Sequence, residues 1–143
     1  MLMRKYYNSI DEKCRMIIPA KHREVLGYRC VLTKGIDPCI DIYSFSAWEK
    51  FMEKLSAIPT SDSEGRQFVR HFFANACECE IDKLGRIVIP QELRVYAGIE
   101  RELVTVGVMD KVEVWSKAKW ESVADGAGAD VSAVAHKMAE YGI

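Results

Sequence analysis

The sequence predicts an α+β protein, mainly β, built from two copies of one small module. Three observations predict it: an internal repeat, short β-branched runs fenced by turn residues, and a helical connection between the copies. The repeat comes first, because overlooking one misassigns a whole fold. Ile10-Asp11-Glu12-Lys13-Cys14-Arg15-Met16-Ile17-Ile18-Pro19 matches Ile81-Asp82-Lys83-Leu84-Gly85-Arg86-Ile87-Val88-Ile89-Pro90 at an offset of 71. Arg23 with Arg94 and Gly27 with Gly98 continue the match. One inserted residue then makes the offset 72, and Thr33 pairs with Thr105, Gly35 with Gly107, Ser44 with Ser116, and Trp48-Glu49 with Trp120-Glu121. Chance does not produce so many matches with one gap.

Each copy reads alike. A short strand ends at the Asp, whose side chain can bond the backbone of the tight turn that follows; Gly85, fourth in its turn, suits type I. Met16-Ile17-Ile18 and Ile87-Val88-Ile89 are β-branched runs bounded by turn signals, hence buried strands. Pro19 and Pro90 end those strands and open short helices through Arg23 and Arg94, with Gly27 and Gly98 where C-caps belong. Two further strands follow, near Arg29 to Lys34 and Cys39 to Tyr43, with counterparts from Glu102 to Val106 and Val112 to Trp115.

Between the copies, Ser46-x-x-Glu49 is a capping box for a helix through about Leu55, with Trp48, Phe51, Met52 and Leu55 on one face. Ile58-Pro59 breaks it. Ser61-x-x-Glu64 opens a second helix striped by Phe68, Val69, Phe72 and Phe73, aromatics for packing rather than for a cofactor. Gly126-Ala127-Gly128-Ala129 reads as a hinge before a terminal helix carrying Val131, Val134, Met138 and Tyr141. The chain thus divides into a first module (5–50), a helical connection (51–76), a second module (77–121), and a hinge with a C-terminal helix (122–143). A module of roughly 45 residues buries too little surface to fold alone, so the copies should pair about a pseudo-two-fold axis.

The bulk numbers exclude several classes. At 143 residues, 49% hydrophobic and 29% charged, the composition is that of a globular protein. No apolar run approaches the roughly 18 to 20 residues of a membrane span, and the start, Met1 to Tyr7, does not read as a signal peptide; a cytoplasmic location is expected. Cys14, Cys30, Cys39, Cys77 and Cys79 contain no C-x-x-C pair and read as reduced core fillers. Cys77 and Cys79 would share one strand face, but no second ligand pair stands at metal spacing. The net charge is −1, unevenly spread: residues 1 to 34 hold eight cations against three carboxylates, a net +5, leaving −6 for the rest. A basic first third suits a localised anionic partner.

The paired Ile-Asp-x-x-x-Arg segments, the Trp-Glu pairs and the helical middle resemble the MraZ family, bacterial regulators made of two AbrB-like swapped-hairpin modules. The resemblance runs from about Tyr6 to Trp120. It implies a double-split β-barrel, a ring of several subunits, and sequence-specific binding to double-stranded promoter DNA. It further implies repression of the division and cell-wall gene cluster and association with the nucleoid. The family's Asp-x-x-x-Arg signature falls on Asp11 and Arg15 and on Asp82 and Arg86, and is linked to the DNA-contacting surface. One departure is Cys14 where the second copy has Gly85; a positive φ there would strain the first turn.

The chemistry of the residues agrees. The planar fork of arginine suits guanine edges and phosphates, so Arg15 and Arg86 are the candidate readers. Lys13 and Lys83 stand beside them, and Arg4 and Lys5 are candidates for phosphate contacts. The competing reading makes Asp11–Arg15 and Asp82–Arg86 internal ion pairs; both hold if each Asp orients an Arg that still reaches DNA. The more basic first copy suggests that Arg15 matters more than Arg86. Arg23 and Arg94 suit packing or an ion pair, and His22 and His71 a structural or solvent-facing role. No phosphate loop, nucleophile elbow or metal cluster marks an enzyme, and no cofactor is expected. The alternative function is an antitoxin-like or scaffolding protein on the same fold.

Overall fold

The computed structural model describes residues 1–124 and 130–143; the predicted hinge at 126–129 lies outside the described residues. Eight strands form: β1 (Lys5–Ser9), β2 (Arg15–Ile17), β3 (Arg29–Lys34), β4 (Ile40–Ser44), β5 (Cys77–Glu80), β6 (Arg86–Val88), β7 (Glu102–Val108) and β8 (Lys111–Ser116). The helices are α1 (Ala20–Leu26), α2 (Phe45–Ser56), α3 (Ser63–Phe73), α4 (Gln91–Ala97), α5 (Lys117–Lys119) and α6 (Val131–Met138). A π-helical turn over Trp120–Ala124 follows α5. The mixed α+β class agrees with the sequence.

Six strands make one antiparallel sheet in the order β1-β7-β8-β4-β3-β5, while β2 and β6 pair as a separate ribbon. The copies are interleaved. The first strand of the first copy, β1, pairs with β7 of the second, and β5 of the second copy pairs with β3 of the first. The barrel that the family resemblance implied is not closed: the sheet is open, with β1 and β5 as its edges. The reason is the length of β2 and β6. Three residues each, they pair with one another. The turns fasten this ribbon to the sheet edges through backbone bonds from Asp11 N–H to Arg15 O and from Asp82 N–H to Arg86 O, both 2.9 Å.

The ribbon also corrects the reading of its apolar runs as wholly buried. Met16 and Ile87 face each other across the ribbon and are buried in the core, as are Ile18 and Ile89, but Ile17 is 48% and Val88 56% exposed. Strand alternation overrides the apolar run, because only one ribbon face meets the core. That core combines Met16, Ile18, Ile87 and Ile89 with Leu32, Ile40, Ile42, Leu103, Val112 and Val114 of the sheet.

Two caps differ from expectation. Helix α2 is capped by Ser44, whose Oγ accepts from Ala47 N–H at 3.1 Å, and α3 by Asp62, which accepts from Glu64 and Gly65 N–H at 3.0 and 3.1 Å. Ser46 and Ser61 therefore do not cap, since each helix starts from a neighbouring residue held in extended backbone. Ser116, the duplicate of Ser44, caps α5 in the same way, accepting from Lys119 N–H at 3.1 Å. Gly27 and Gly98 hold the positive φ expected of helix C-caps. The aromatics of α2 and α3 pack together: Phe51 lies parallel to Tyr43 with centroids 5.4 Å apart, and Trp48 lies 5.3 Å from Phe73.

Candidate nucleic-acid interface

Each Asp-x-x-x-Arg turn is built by its own aspartate. Asp11 Oδ1 accepts from the N–H groups of Lys13 and Arg15, both at 2.9 Å, and its Oδ2 accepts from Arg15 Nε at 2.8 Å. Asp82 repeats this with Leu84 N–H at 3.0 Å, Arg86 N–H at 2.8 Å and Arg86 Nε at 2.8 Å. The backbone bond from the arginine, seconded by its side chain, holds both carboxyls below their ordinary pKa against a small opposing desolvation. The ion pair that competed with a binding role is thus present. It uses only Nε, and among the described residues no protein acceptor bonds the terminal Nη groups of either arginine. The aspartate orients the fork and leaves its working end open.

Register decides where the arginines lie. Arg15 stands opposite Val88, and Arg86 opposite Ile17. All four belong to the outward face of the ribbon, the arginines on one diagonal and the apolar pair on the other, about a two-fold axis through Met16 and Ile87. Lys13 and Lys83 are exposed in the turns at opposite ends of the ribbon, though not at duplicate positions: Lys13 matches Leu84, and Lys83 matches Glu12. Arg4 and Lys5 are not gathered here. They begin β1, whose other end leads to the first turn, and five residues at about 3.3 Å each keep them roughly 16 Å away. Lys5 Nζ instead sits over the rings of Tyr7 and Trp120, at 5.9 and 5.8 Å.

Arg23 and Arg94 serve the turns from behind. Arg23 Nη1 donates to Ile18 O and Arg94 Nε to Ile89 O, both at 3.0 Å, so backbone carbonyls stand where an ion pair was an option. The same two residues cross to the other copy, Ile18 N–H bonding Gly85 O and Ile89 N–H bonding Cys14 O. Gly85 has φ +78°, and a Cβ there would run into the Arg23 guanidinium. Cys14 holds the same left-handed conformation at φ +61°, confirming the strain expected of the first turn. His22 is buried and donates to Met3 O at 2.9 Å, and His71 donates to Gly35 O at 2.8 Å, both structural.

Away from the ribbon, the sheet holds a polar group that sequence reasoning missed. Asp41 and Glu113, duplicate positions of the two copies, face each other across β4 and β8. Lys111 Nζ lies 3.1 Å from Asp41 Oδ2 and 3.8 Å from Glu113 Oε2, and Trp115 Nε1 donates to Glu113 Oε1 at 3.1 Å. Cys39 Sγ, the duplicate of Lys111, lies 3.8 Å from Asp41 Oδ1. Burial raises Asp41 to about 6 despite the ammonium beside it. Burial alone would lower Lys111, but Asp41 outweighs it and Lys111 is raised. The one signal in the sequence was the alternation of Asp41 and Glu113 within otherwise apolar strands. Cys77 and Cys79 do share a strand face, their sulfurs 3.6 Å apart.

A chain of two interleaved modules, presenting a paired-arginine ribbon, has the architecture of a two-module regulator. The profile of the family described as "MraZ protein, putative antitoxin-like" matches residues 1–71 and again 72–140. The chain is 47% identical over 143 residues, all of both chains, to the Transcriptional regulator MraZ of Caldicellulosiruptor bescii. The protein of the same name from Acetivibrio thermocellus is 48% identical, and that of Clostridium botulinum strain Alaska E43 44% identical, again over the full length of both chains. The chain belongs to the MraZ family.

Proposed function

We propose that this protein is a transcription regulator that binds double-stranded DNA through the outward face of the β2–β6 ribbon. The observation carrying this reading is the pair of arginines, diagonal on one face, each oriented by its aspartate with its Nη groups open. A two-stranded ribbon fits the major groove, and a bidentate Arg reads guanine O6 and N7 there. Lys13 and Lys83 add phosphate contacts at the two ends; Arg4 and Lys5 take phosphate only where DNA extends beyond the ribbon. Two or three charges per chain bind weakly at physiological salt, so the finer reading is a ring of subunits that repeats the ribbon and prefers several short promoter boxes over one. The crosswise pairing of β1 with β7 and β5 with β3 supports the swapped-hairpin character of the modules. Repression of the division and cell-wall gene cluster, in the cytoplasm at the nucleoid, completes the proposal. Among the described residues no helix is long and apolar enough to cross a membrane.

The test is a salt-titrated binding assay on DNA from upstream of the chain's own coding sequence, beside Arg15→Ala. Tight, salt-sensitive binding that the variant loses is expected; no preference over random duplex would overturn the proposal. The family's antitoxin-like description favours one second reading, an antitoxin or scaffold on the same fold, for which a small toxin would co-purify with the chain.

A further inference from the structure

Ile17 and Val88 occupy the face of the ribbon where solvent-exposed strand residues are ordinarily polar, and they are 48% and 56% exposed. Neither supports the core, which Met16, Ile18, Ile87 and Ile89 fill from the other face. Each stands directly opposite one of the arginines, Ile17 opposite Arg86 and Val88 opposite Arg15. Cations from both turns, Lys13 and Lys83, flank the same face, so the surroundings of this apolar pair suit a polyanion rather than a lipid or an apolar peptide. Diagonal neighbours on such a ribbon lie about 7 to 8 Å apart. That is roughly two steps of a DNA strand at about 3.4 Å each. An arginine reaching a base edge therefore carries its apolar neighbour to a base edge within a step or two.

In the major groove the exposed apolar group of a base edge is the C5 methyl of thymine. We infer that Ile17 and Val88 are specificity-determining residues that pack on thymine methyls beside the bases taken by Arg15 and Arg86. The inference rests on the DNA-binding reading above and deepens it: the ribbon reads a mixed pattern, hydrogen-bond acceptors along one diagonal and methyl groups along the other. The pseudo-two-fold relation makes the two apolar contacts fall on opposite DNA strands. A serine at either position would leave the arginines in place while removing the methyl contact.

The experiment replaces thymine by uracil, which pairs identically and lacks only the methyl. DNA from upstream of the chain's own coding sequence is amplified with dTTP or with dUTP, and random duplexes are prepared both ways. Binding is measured for the unmodified chain, for the double variant Ile17→Ser/Val88→Ser, and for Arg15→Ala. Loss of one buried methyl contact corresponds to about 0.8 kcal/mol, or roughly fourfold, so the unmodified chain should bind the uracil form about three- to tenfold more weakly. The double variant should bind both forms alike, at the level of the unmodified chain on uracil DNA. Arg15→Ala should weaken on both forms and keep the thymine-to-uracil ratio. Equal binding of the unmodified chain to both forms, with Arg15→Ala still impaired, would overturn the inference and leave the DNA reading standing. No preference for the upstream DNA over random duplex would overturn both. A smaller oligomer for the double variant in size-exclusion chromatography, with no thymine preference in the unmodified chain, would assign the apolar pair to a subunit contact instead. The uracil comparison needs no variant, so it decides the matter even where the serine chain fails to fold.

Discussion

The two copies of the module are built to one plan and finished differently, and the differences fall where the copies touch. At the second turn Gly85 takes a positive φ without cost and leaves room for the Arg23 guanidinium over its Cα. At the first turn Cys14 takes the same conformation with a side chain, and Arg94 bonds its carbonyl through Nε rather than Nη. The first turn has a support the second lacks: Asn8 Nδ2 donates to Ile17 O at 3.0 Å, and the duplicate of Asn8 is Cys79. Within the sheet the duplicated acids Asp41 and Glu113 face each other, and only the second copy contributes the lysine that separates their charge. Duplication supplies a symmetric frame, and contacts across the axis depend on asymmetric substitutions.

The largest effect should come from Gly85→Ala. A Cβ at φ +78° costs about 1 to 2 kcal/mol, and displacing Arg23 adds to it, for a total of about 2 to 3 kcal/mol in urea unfolding. In an Arg23→Ala background the added cost should shrink to the backbone part; an unchanged cost would break the comparison between the turns. Next comes pH. Asp41 titrates near 6 folded against 3.8 unfolded, so between those values the folded chain holds a proton that the unfolded chain has released. Its contribution to stability therefore falls as pH rises from about 4 to about 6, by on the order of 2 to 3 kcal/mol. Urea unfolding at several pH values should show this slope in the unmodified chain and not in Asp41→Asn. A smaller effect is expected of Glu12→Lys, which gives the first turn the charge Lys83 gives the second. It should tighten DNA binding about two- to threefold and steepen its salt dependence by about one counterion. Arg15→Ala should weaken binding more than Arg86→Ala, and equal losses would remove the case for an unequal pair. Smallest is Cys14→Gly, which should stabilise by no more than about 1 kcal/mol, read as a shift in Tm.

The repeat made the element order, the Asp-x-x-x-Arg turns and the left-handed Cys14 legible in the sequence, because each depends on residues close along the chain. The turn aspartates could be assigned before any coordinates, since a carboxylate four residues before an arginine bonds the backbone of its own turn. What was not legible depends on partners distant in sequence. Ile17 and Val88 looked like core because the run around them is apolar, and only the β2–β6 pairing shows that one face of the ribbon is bare. Arg4 and Lys5 looked like neighbours of the turn because they are near in number, yet an extended strand separates them. The Asp41–Lys111–Glu113 group needed the β4–β8 register, which no local pattern reveals. Ser46 and Ser61 satisfied a capping pattern by spacing alone, while backbone conformation chose Ser44 and Asp62.

The crosswise pairing also has a consequence in time. Lys5 of β1 pairs with Val106 of β7, so a chain made from its N-terminus must wait for about a hundred further residues before its first strand finds a partner. At roughly 5 to 20 residues per second that interval is about 5 to 20 s. Until then the nascent first half exposes a strand without a mate and a ribbon without its other leg. On the ribosome, the second module is the template on which the first is completed.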